Sequence, residues 1–284
     1  MQGQRLRTWL FLAPAGAVFL IMLVLPLVVV IVFAFGERAP AGGYAPGFTL
    51  EQFANLPARW KAFSNTLVMA PAGTALCLLA AYPLAYFLAV RASAQWRTLL
   101  LVLVIVPFWT SILIRSYAWI FILGGKGLPL LLQELGFGAI RLINTPFAVL
   151  IGIVYGYLPL MVFPIYVSLE KLDKRLLEAA DDLGSPPWRG FLQVTLPLSV
   201  PGVATGCMLV FILLMGEFLI PALLGGGKVF FVGNALVDLF LQSRNWPFGS
   251  AVAATLVAIM LITVTIYMRL IRRLGGGRDD ISLM

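Results

Sequence analysis

The sequence predicts an all-α integral membrane protein with six transmembrane helices, and three observations predict it. Of 284 residues, 61% are hydrophobic and 11% charged, and the mean hydropathy is +0.98, far from the composition of soluble globular domains. Six apolar runs each reach the length of about 20 residues that a helix needs to cross a hydrocarbon layer of roughly 30 Å. The lysines and arginines are distributed unequally between alternate loops, as the positive-inside rule asks of a multi-pass chain. Helices follow because a segment in lipid must satisfy its own backbone polar groups, and these runs are about twice the length of a barrel strand.

Taken in order, the spans are Trp9 to Phe35, Phe63 to Val90, Leu99 to Leu123, Phe147 to Leu169, Val200 to Leu224 and Ser250 to Ile271. The first is too long for the apolar core of a secretory signal peptide, and no convincing cleavage site follows it, so it is expected to remain as an anchor. Pro26, Pro71, Pro83, Pro107, Pro159, Pro164 and Pro221 interrupt several spans. Each removes a backbone hydrogen bond and bends its helix, which fits ordinary packing and also fits a hinged bundle around a solute path. With both termini in the cytoplasm, twelve of the twenty lysines and arginines fall on the inner side and seven on the outer, while Arg115 lies within a span. The net charge of +8 is then mainly a topology signal, with contact to anionic membrane lipid implied and nucleic acid not. Trp9, Trp60 and Trp246 stand near span ends, where an aromatic belt would place them.

Reactive side chains are scarce. Cys77 and Cys207 both lie inside spans and read as small packing residues. Without histidine or a CxxC pair, no catalytic group, metal site or cofactor is expected. The outer loops, near Glu37 to Ala62, Gly124 to Pro146 and Gly225 to Gly249, are rich in Gly and Pro. One holds "GGGK", but Ala222 stands where a phosphate loop needs its first Gly, and Val229 where it needs Ser or Thr. Any ATP that drives this protein is therefore expected on another chain.

The charged island "EAADDLGSPPWRGFLQVTLP", residues 178 to 197, lies in the longest inner loop. Asp173 can cap a helix whose first turn is Lys174, Arg175 and Leu176. Leu176, Ala179, Ala180 and Leu183 follow the spacing of one apolar face, while Glu178, Asp181 and Asp182 project elsewhere. Gly184 can end the helix in the left-handed conformation, and Pro186 and Pro187 block its continuation. Beyond them, Trp188, Phe191, Leu192 and Val194 could lie along the bilayer interface before Pro197 turns the chain into the next span. Two adjacent small residues let another protein approach the backbone closely, and the acids, Asp181 among them, supply a polar rim. The predicted object is a short docking peg.

This stretch resembles the EAA motif of the membrane subunits of ATP-driven (ABC) importers: EAA, three residues, Gly, nine residues, Ile, any residue, Leu-Pro. The chain has Glu178, Ala179, Ala180, Gly184, Leu196 and Pro197 at those spacings, with Val194 in the Ile position. The resemblance implies a type I importer permease (MetI-like) fold in a bacterial inner membrane. In it the motif is a coupling helix seated in a groove of the ATP-hydrolysing subunit, a role that Glu178, Ala179, Ala180 and Gly184 inherit. "VPFWTSILIRSYAWIFIL", "GIVYGYLPLMVFPIYVSLEKLD", "LLMGEFLIPALLGGG" and "RNWPFGSAVA" are similar to the spermidine/putrescine permeases, nearest the putrescine branch, and neighbouring subfamilies for opines, other amines or metal ions share pieces of them. The implied partners are a dimer of ABC ATPase subunits, a second permease subunit taken as a sister chain in a heterodimer, and a periplasmic substrate-binding protein. The implied organisation is an anchor with its outer loop over 1–62, a five-helix permease core over 63–271 with its coupling loop at 170–198, and an inner tail over 272–284. An ion-coupled secondary transporter would also be a helix bundle, but it needs no docking peg.

Two charges lie inside spans. Taking Ser111 and Ile212 as span midpoints, Arg115 and Glu217 would sit about 6 and 7.5 Å outside the midplane, at matched depth. A charge in lipid must face protein or water and find a partner, and two readings stand. Arg115 and Glu217 pair with each other, or Glu217 meets a polyamine ammonium in a solute path where Trp109, Tyr117, Trp119, Tyr155 or Tyr157 offers an aromatic face. Asp238, in an outer loop, reads as a solvated charge or a contact for the binding protein.

Overall fold

The described parts of all six apolar runs are helical in the computed structural model, but two of them are broken, and the breaks hold or lie near the two charges within those runs. The structure describes residues 12–173, 175–182 and 184–275, with backbone alone for residues 94, 177, 179–181 and 272–275. Trp9, Lys174, Leu183 and the tail beyond Gly275 lie outside the described residues, as do the side chains of Ala179, Ala180 and Asp181. In chain order the helices are α1 (Leu12–Ala34), α2 (Leu56–Arg91), α3 (Gln95–Trp109), α4 (Ile112–Leu123), α5 (Leu128–Glu134), α6 (Pro146–Glu170), α7 (Arg175–Asp182), α8 (Pro187–Met215), α9 (Leu219–Leu224), α10 (Val232–Gln242) and α11 (Trp246–Gly275). Five are long and apolar enough to cross a membrane, and the count is six when the bent pair that begins with α3 is taken as one span.

The predicted third span is not a straight rod. The chain turns by 92° between Gln95–Trp109 and Ile112–Glu134, because Thr110 and Ser111 adopt extended backbone. Pro107 supplies no N–H to the last turn of α3, while Thr110 closes that turn with its hydroxyl on the Pro107 carbonyl at 2.7 Å. Ser111 then starts α4 afresh by accepting the Leu113 N–H at 3.3 Å. The predicted fifth span breaks at Gly216–Phe218, between α8 and α9. At its other end α8 runs unbroken from Pro187 through Pro197 and Pro201 to Met215, so Pro197 does not turn the chain as predicted. A wide turn over Phe191–Thr195, closed by the Leu196 N–H on the Phe191 carbonyl, precedes Pro197 and relieves its crowding against the turn before it.

The chain divides into two compact units. One comprises Lys61–Asn234 with the chain from Met260. In it α6 packs along α8 through small residues: a methyl on Gly202 would stand 2.5 Å from the Pro164 carbonyl oxygen, and one on Gly206 2.9 Å from Met161 Sδ. Such close backbone approach is how helices gain contact where lipid offers no hydrophobic drive. Around this seam Ile153, Met161, Ile165, Leu214 and Met215 are fully buried. Cys77 is buried with its thiol toward the Ile153 carbonyl, in keeping with a packing role.

The other unit comprises the chain through Trp60 with Ala235–Ile259. Its two-stranded ribbon, β1 (Glu37–Arg38) and β2 (Tyr44–Ala45), pairs antiparallel with Glu37 opposite Ala45. Phe33 stacks on Tyr44 at 4.3 Å, and the Gly43 N–H donates to the Arg244 carbonyl at 2.7 Å. Here Asp238 forms an ion pair with Arg59 at 2.7 Å, which corrects its reading as a free solvated charge.

Candidate functional site

The docking peg forms as its local sequence dictates. Asp173 Oδ1 accepts the Arg175 N–H at 3.0 Å and starts α7. Gly184 ends it at φ +72°, with open space around the position of a Cβ, so the requirement there is for the left-handed backbone and not for room. Pro186 is extended, and Pro187 opens α8. Leu176, Glu178, Asp182 and Trp188 are all exposed. The root of the loop is tied down: the Tyr166 hydroxyl donates to Glu170 Oε1 at 2.6 Å, and Arg97 Nη1 lies 3.5 Å from the same oxygen.

Arg115 and Glu217 do not pair with each other; among the described residues the ion pairs are Arg59–Asp238 and Arg97–Glu170. Glu217 sits in the break between α8 and α9 and is 7% exposed. Its Oε1 accepts the N–H groups of Phe218, Leu219 and Ile220 at 2.9, 2.8 and 3.3 Å. Its Oε2 accepts the hydroxyl of Tyr157, which reaches over from α6. A helix that begins within an apolar run exposes unsatisfied N–H groups, and a carboxylate answers both their hydrogen bonds and the positive end of the helix dipole. Asn234 secures the same break: its side chain donates to the Phe218 carbonyl at 2.7 Å and accepts the Phe231 N–H at 3.1 Å.

Arg115, on α4, is 9% exposed. Its Nη1 reaches the Gly156 carbonyl at 3.5 Å, its Cζ lies 6.0 Å from the ring centres of both Phe108 and Tyr155, and its Nε is buried without a hydrogen-bond partner. The guanidinium thus links α3, α4 and α6 through carbonyl and ring faces, with no carboxylate. Tyr155 in turn meets Trp119 edge to face at 5.7 Å. Trp109 and Tyr117 are 81% and 51% exposed and make neither contact.

The structure therefore separates the predicted path residues into groups: Tyr157 with Glu217 at one break, Arg115 with Tyr155 and Trp119 beside the other, and Trp109 and Tyr117 apart. Elsewhere in this unit a cavity of about 350 Å³ lies between α2, α8 and α11, lined by Pro71, Thr74, Cys207, Phe211 and Tyr267 among others. It holds no carboxylate to receive a cation. Asn234 is a site residue with no place in the sequence-based expectations, although an amide in the apolar run "FFVGNALV" is the type of residue that satisfies a broken backbone. No group of three or more metal-ligating side chains occurs among the described residues.

Comparison with known proteins places this geometry in a family. Residues 81–276 match the family described as the inner membrane component of binding-protein-dependent transport systems. The spermidine/putrescine transport system permease protein PotB of Haemophilus influenzae is 44% identical over 86% of this chain and 87% of its own. PotB of Escherichia coli K12 is 42% identical over 88% and 93%. The inner membrane ABC transporter permease protein YdcU of the same organism is 32% identical over 78% and 73%. Among solved structures, a chain of the bacterial alginate ABC transporter, in complex with alginate pentasaccharide-bound periplasmic protein, superposes with a TM-score of 0.80 at 18% identity over 96% of each chain. One from the MetNI methionine ABC transporter in inward-facing conformations gives 0.58 at 18% identity, covering 77% of this chain and 98% of its own. The fold is that of type I ABC importer permeases, and the chain belongs to the family of multi-pass inner membrane components of binding-protein-dependent transport systems.

Proposed function

We propose that this chain is the permease subunit of an ATP-driven importer that carries putrescine and spermidine from the periplasm to the cytoplasm, with both of its own termini cytoplasmic. It works with a dimer of ATPase subunits, a second permease subunit as a sister chain, and a periplasmic binding protein that delivers the cargo. The observation that carries the coupling reading is α7: a short, separately capped helix, started by Asp173 and ended by Gly184 at φ +72°, in a chain with no nucleotide loop of its own. The cargo reading rests on the names of the relatives that are 42–44% identical over most of the chain.

Glu178, Ala179, Ala180, Asp181 and Gly184 form the surface that seats in the ATPase groove, and closure of the ATPase pair moves the spans between outward-open and inward-open states. In the solute path, the exposed rings of Trp109, Tyr117 and Tyr155 offer faces to an ammonium group. Glu217 and Tyr157 hold the wall of that path, because the carboxylate is already engaged by three N–H groups and a hydroxyl. Arg115 stands behind Tyr155 and keeps its ring in place. The domain division follows: an anchor over 1–62, a permease core over 63–271 and a tail over 272–284. The test is uptake of labelled putrescine and spermidine into vesicles holding the four-part assembly. Uptake that requires both ATP and the binding protein supports the proposal. Uptake driven by an ion gradient alone would overturn it.

A further inference from the structure

The coupling helix needs a route by which its movement reaches spans that it does not adjoin in sequence. α7 packs against the first turns of α8, where the wide turn Phe191–Thr195 lies. From that turn the half-buried Phe191 ring projects to α2 and stands edge-on to Tyr82 at 5.7 Å and 89°, and to Tyr86 at 5.6 Å and 86°. Tyr82 is held in place by a hydrogen bond of 2.9 Å between its hydroxyl and that of Ser199, further along α8. On the α2 side, Tyr82 and Tyr86 lie in the regular helix that runs directly into a second wide turn, Phe87–Arg91, closed by the Ala92 N–H on the Phe87 carbonyl at 2.9 Å.

Two helices thus meet through the Phe191 ring and the Tyr82–Ser199 hydrogen bond, with Phe191 on a turn whose hydrogen bonds run five residues back instead of four and its tyrosine partners just before another such turn. A wide turn holds one residue more than the regular helix and can shift register at small cost, which is why such turns recur at hinges and working sites. An aromatic side chain seated edge-on between two others has directional preferences that a sliding aliphatic contact lacks. The arrangement is stiff between the helices and compliant along each of them.

We propose that Phe191 is a positioning residue for transport: seated between Tyr82 and Tyr86, it passes displacement of the coupling helix to the second span and so ties ATP hydrolysis to opening of the path. This rests on the coupling reading above. Without the ring, α7 and the start of α8 can follow the ATPase subunits while α2 stays behind.

The experiment is Phe191→Ala in the complete transporter, reconstituted in vesicles with the ATPase subunits and binding protein, measuring putrescine uptake and phosphate release together. The expected result is that ATP hydrolysis continues while putrescine carried per ATP falls roughly tenfold, the order set by losing two ring-edge contacts. Phe191→Tyr, which keeps the ring edge, recovers most of the ratio. A ratio that stays at the wild-type value in Phe191→Ala, with uptake and hydrolysis falling together or not at all, overturns the proposal. If Phe191→Ala does not assemble, Phe191→Leu preserves bulk without the ring and is held to the same ratio. A chain with Glu178, Ala179, Ala180 and Gly184 scrambled separates the two levels. If the scramble uncouples and the Phe191 variants do not, this inference alone fails; if the scramble transports normally, the coupling reading fails first.

Discussion

Glu217→Ala and Glu217→Gln part the two roles a buried carboxylate in a permease can have. The alanine variant strips the cap from three consecutive N–H groups and leaves the Tyr157 hydroxyl without its acceptor at a site only 7% exposed. A lost helix cap costs about 1 kcal/mol and a buried polar group left unsatisfied about 1–3 kcal/mol, so the variant should lose about 2–4 kcal/mol. Glutamine keeps a carbonyl oxygen for the N–H groups, and its amide can donate to the Tyr157 oxygen once that hydroxyl rotates, so most of the bonding survives without the charge. The assay is melting of the purified transporter beside the concentration dependence of putrescine uptake. The expected outcome is a melting temperature lowered by several degrees in Glu217→Ala, and stability and KM close to wild type in Glu217→Gln. A Glu217→Gln variant of normal stability whose KM rises tenfold would refute the reasoning, because the charge would then be meeting the cargo.

Three further outcomes follow from local geometry. Substitutions at Gly184 should lower ATP-driven uptake in the order Asn, Ala, Val, at unchanged amounts of membrane protein. The cost there is the left-handed backbone at φ +72°, about 1–2 kcal/mol for a Cβ-bearing residue and less for Asn, with nothing nearby to clash. Gly202→Leu should cut the yield of folded transporter in detergent, since even a first methyl would stand 2.5 Å from the Pro164 carbonyl and force α6 and α8 apart at a cost of about 1–3 kcal/mol or more. Arg115→Met should leave the melting temperature unchanged or raised, because no carboxylate is orphaned by removing the charge and buried charges are often replaced by apolar groups without loss.

What was legible in the sequence was whatever depends on neighbours along the chain. The end of α7 is set by one residue, Gly184, whose left-handed φ follows from lacking a Cβ, and its start by Asp173 accepting an N–H two residues on. The spans were legible because their length and composition are fixed by the thickness of the lipid. The partners of Glu217 and Arg115 were not, because the depth estimate placed both charges on straight rods. The 92° turn after Trp109 and the break at Gly216–Phe218 remove those rods, and with them the matched depth that suggested an ion pair. The signals were present in part: Pro107 with Thr110 and Ser111, and Gly216 with Pro221, each mark a point where the backbone loses hydrogen bonds. Tyr157, by contrast, meets Glu217 across 60 positions, and Phe191 meets Tyr82 across a still wider gap, where single-chain periodicity has nothing to say.

The two charges then carry unequal information about transport. A carboxylate engaged by three backbone N–H groups and a tyrosine is a consequence of the broken helix: the break creates the donors, and Glu217 is the side chain that satisfies them. Its presence in the membrane explains a structure before it explains a cargo. Arg115 is different, because its surroundings leave it under-satisfied, with one long hydrogen bond, two ring faces at 6.0 Å and an Nε with none. A buried group whose bonding is incomplete in one state gains most from a change of state, and Arg115 touches α3, α4 and α6 beside the 92° turn after Trp109. Of the two charges, the arginine is the one whose hydrogen bonding this structure leaves incomplete.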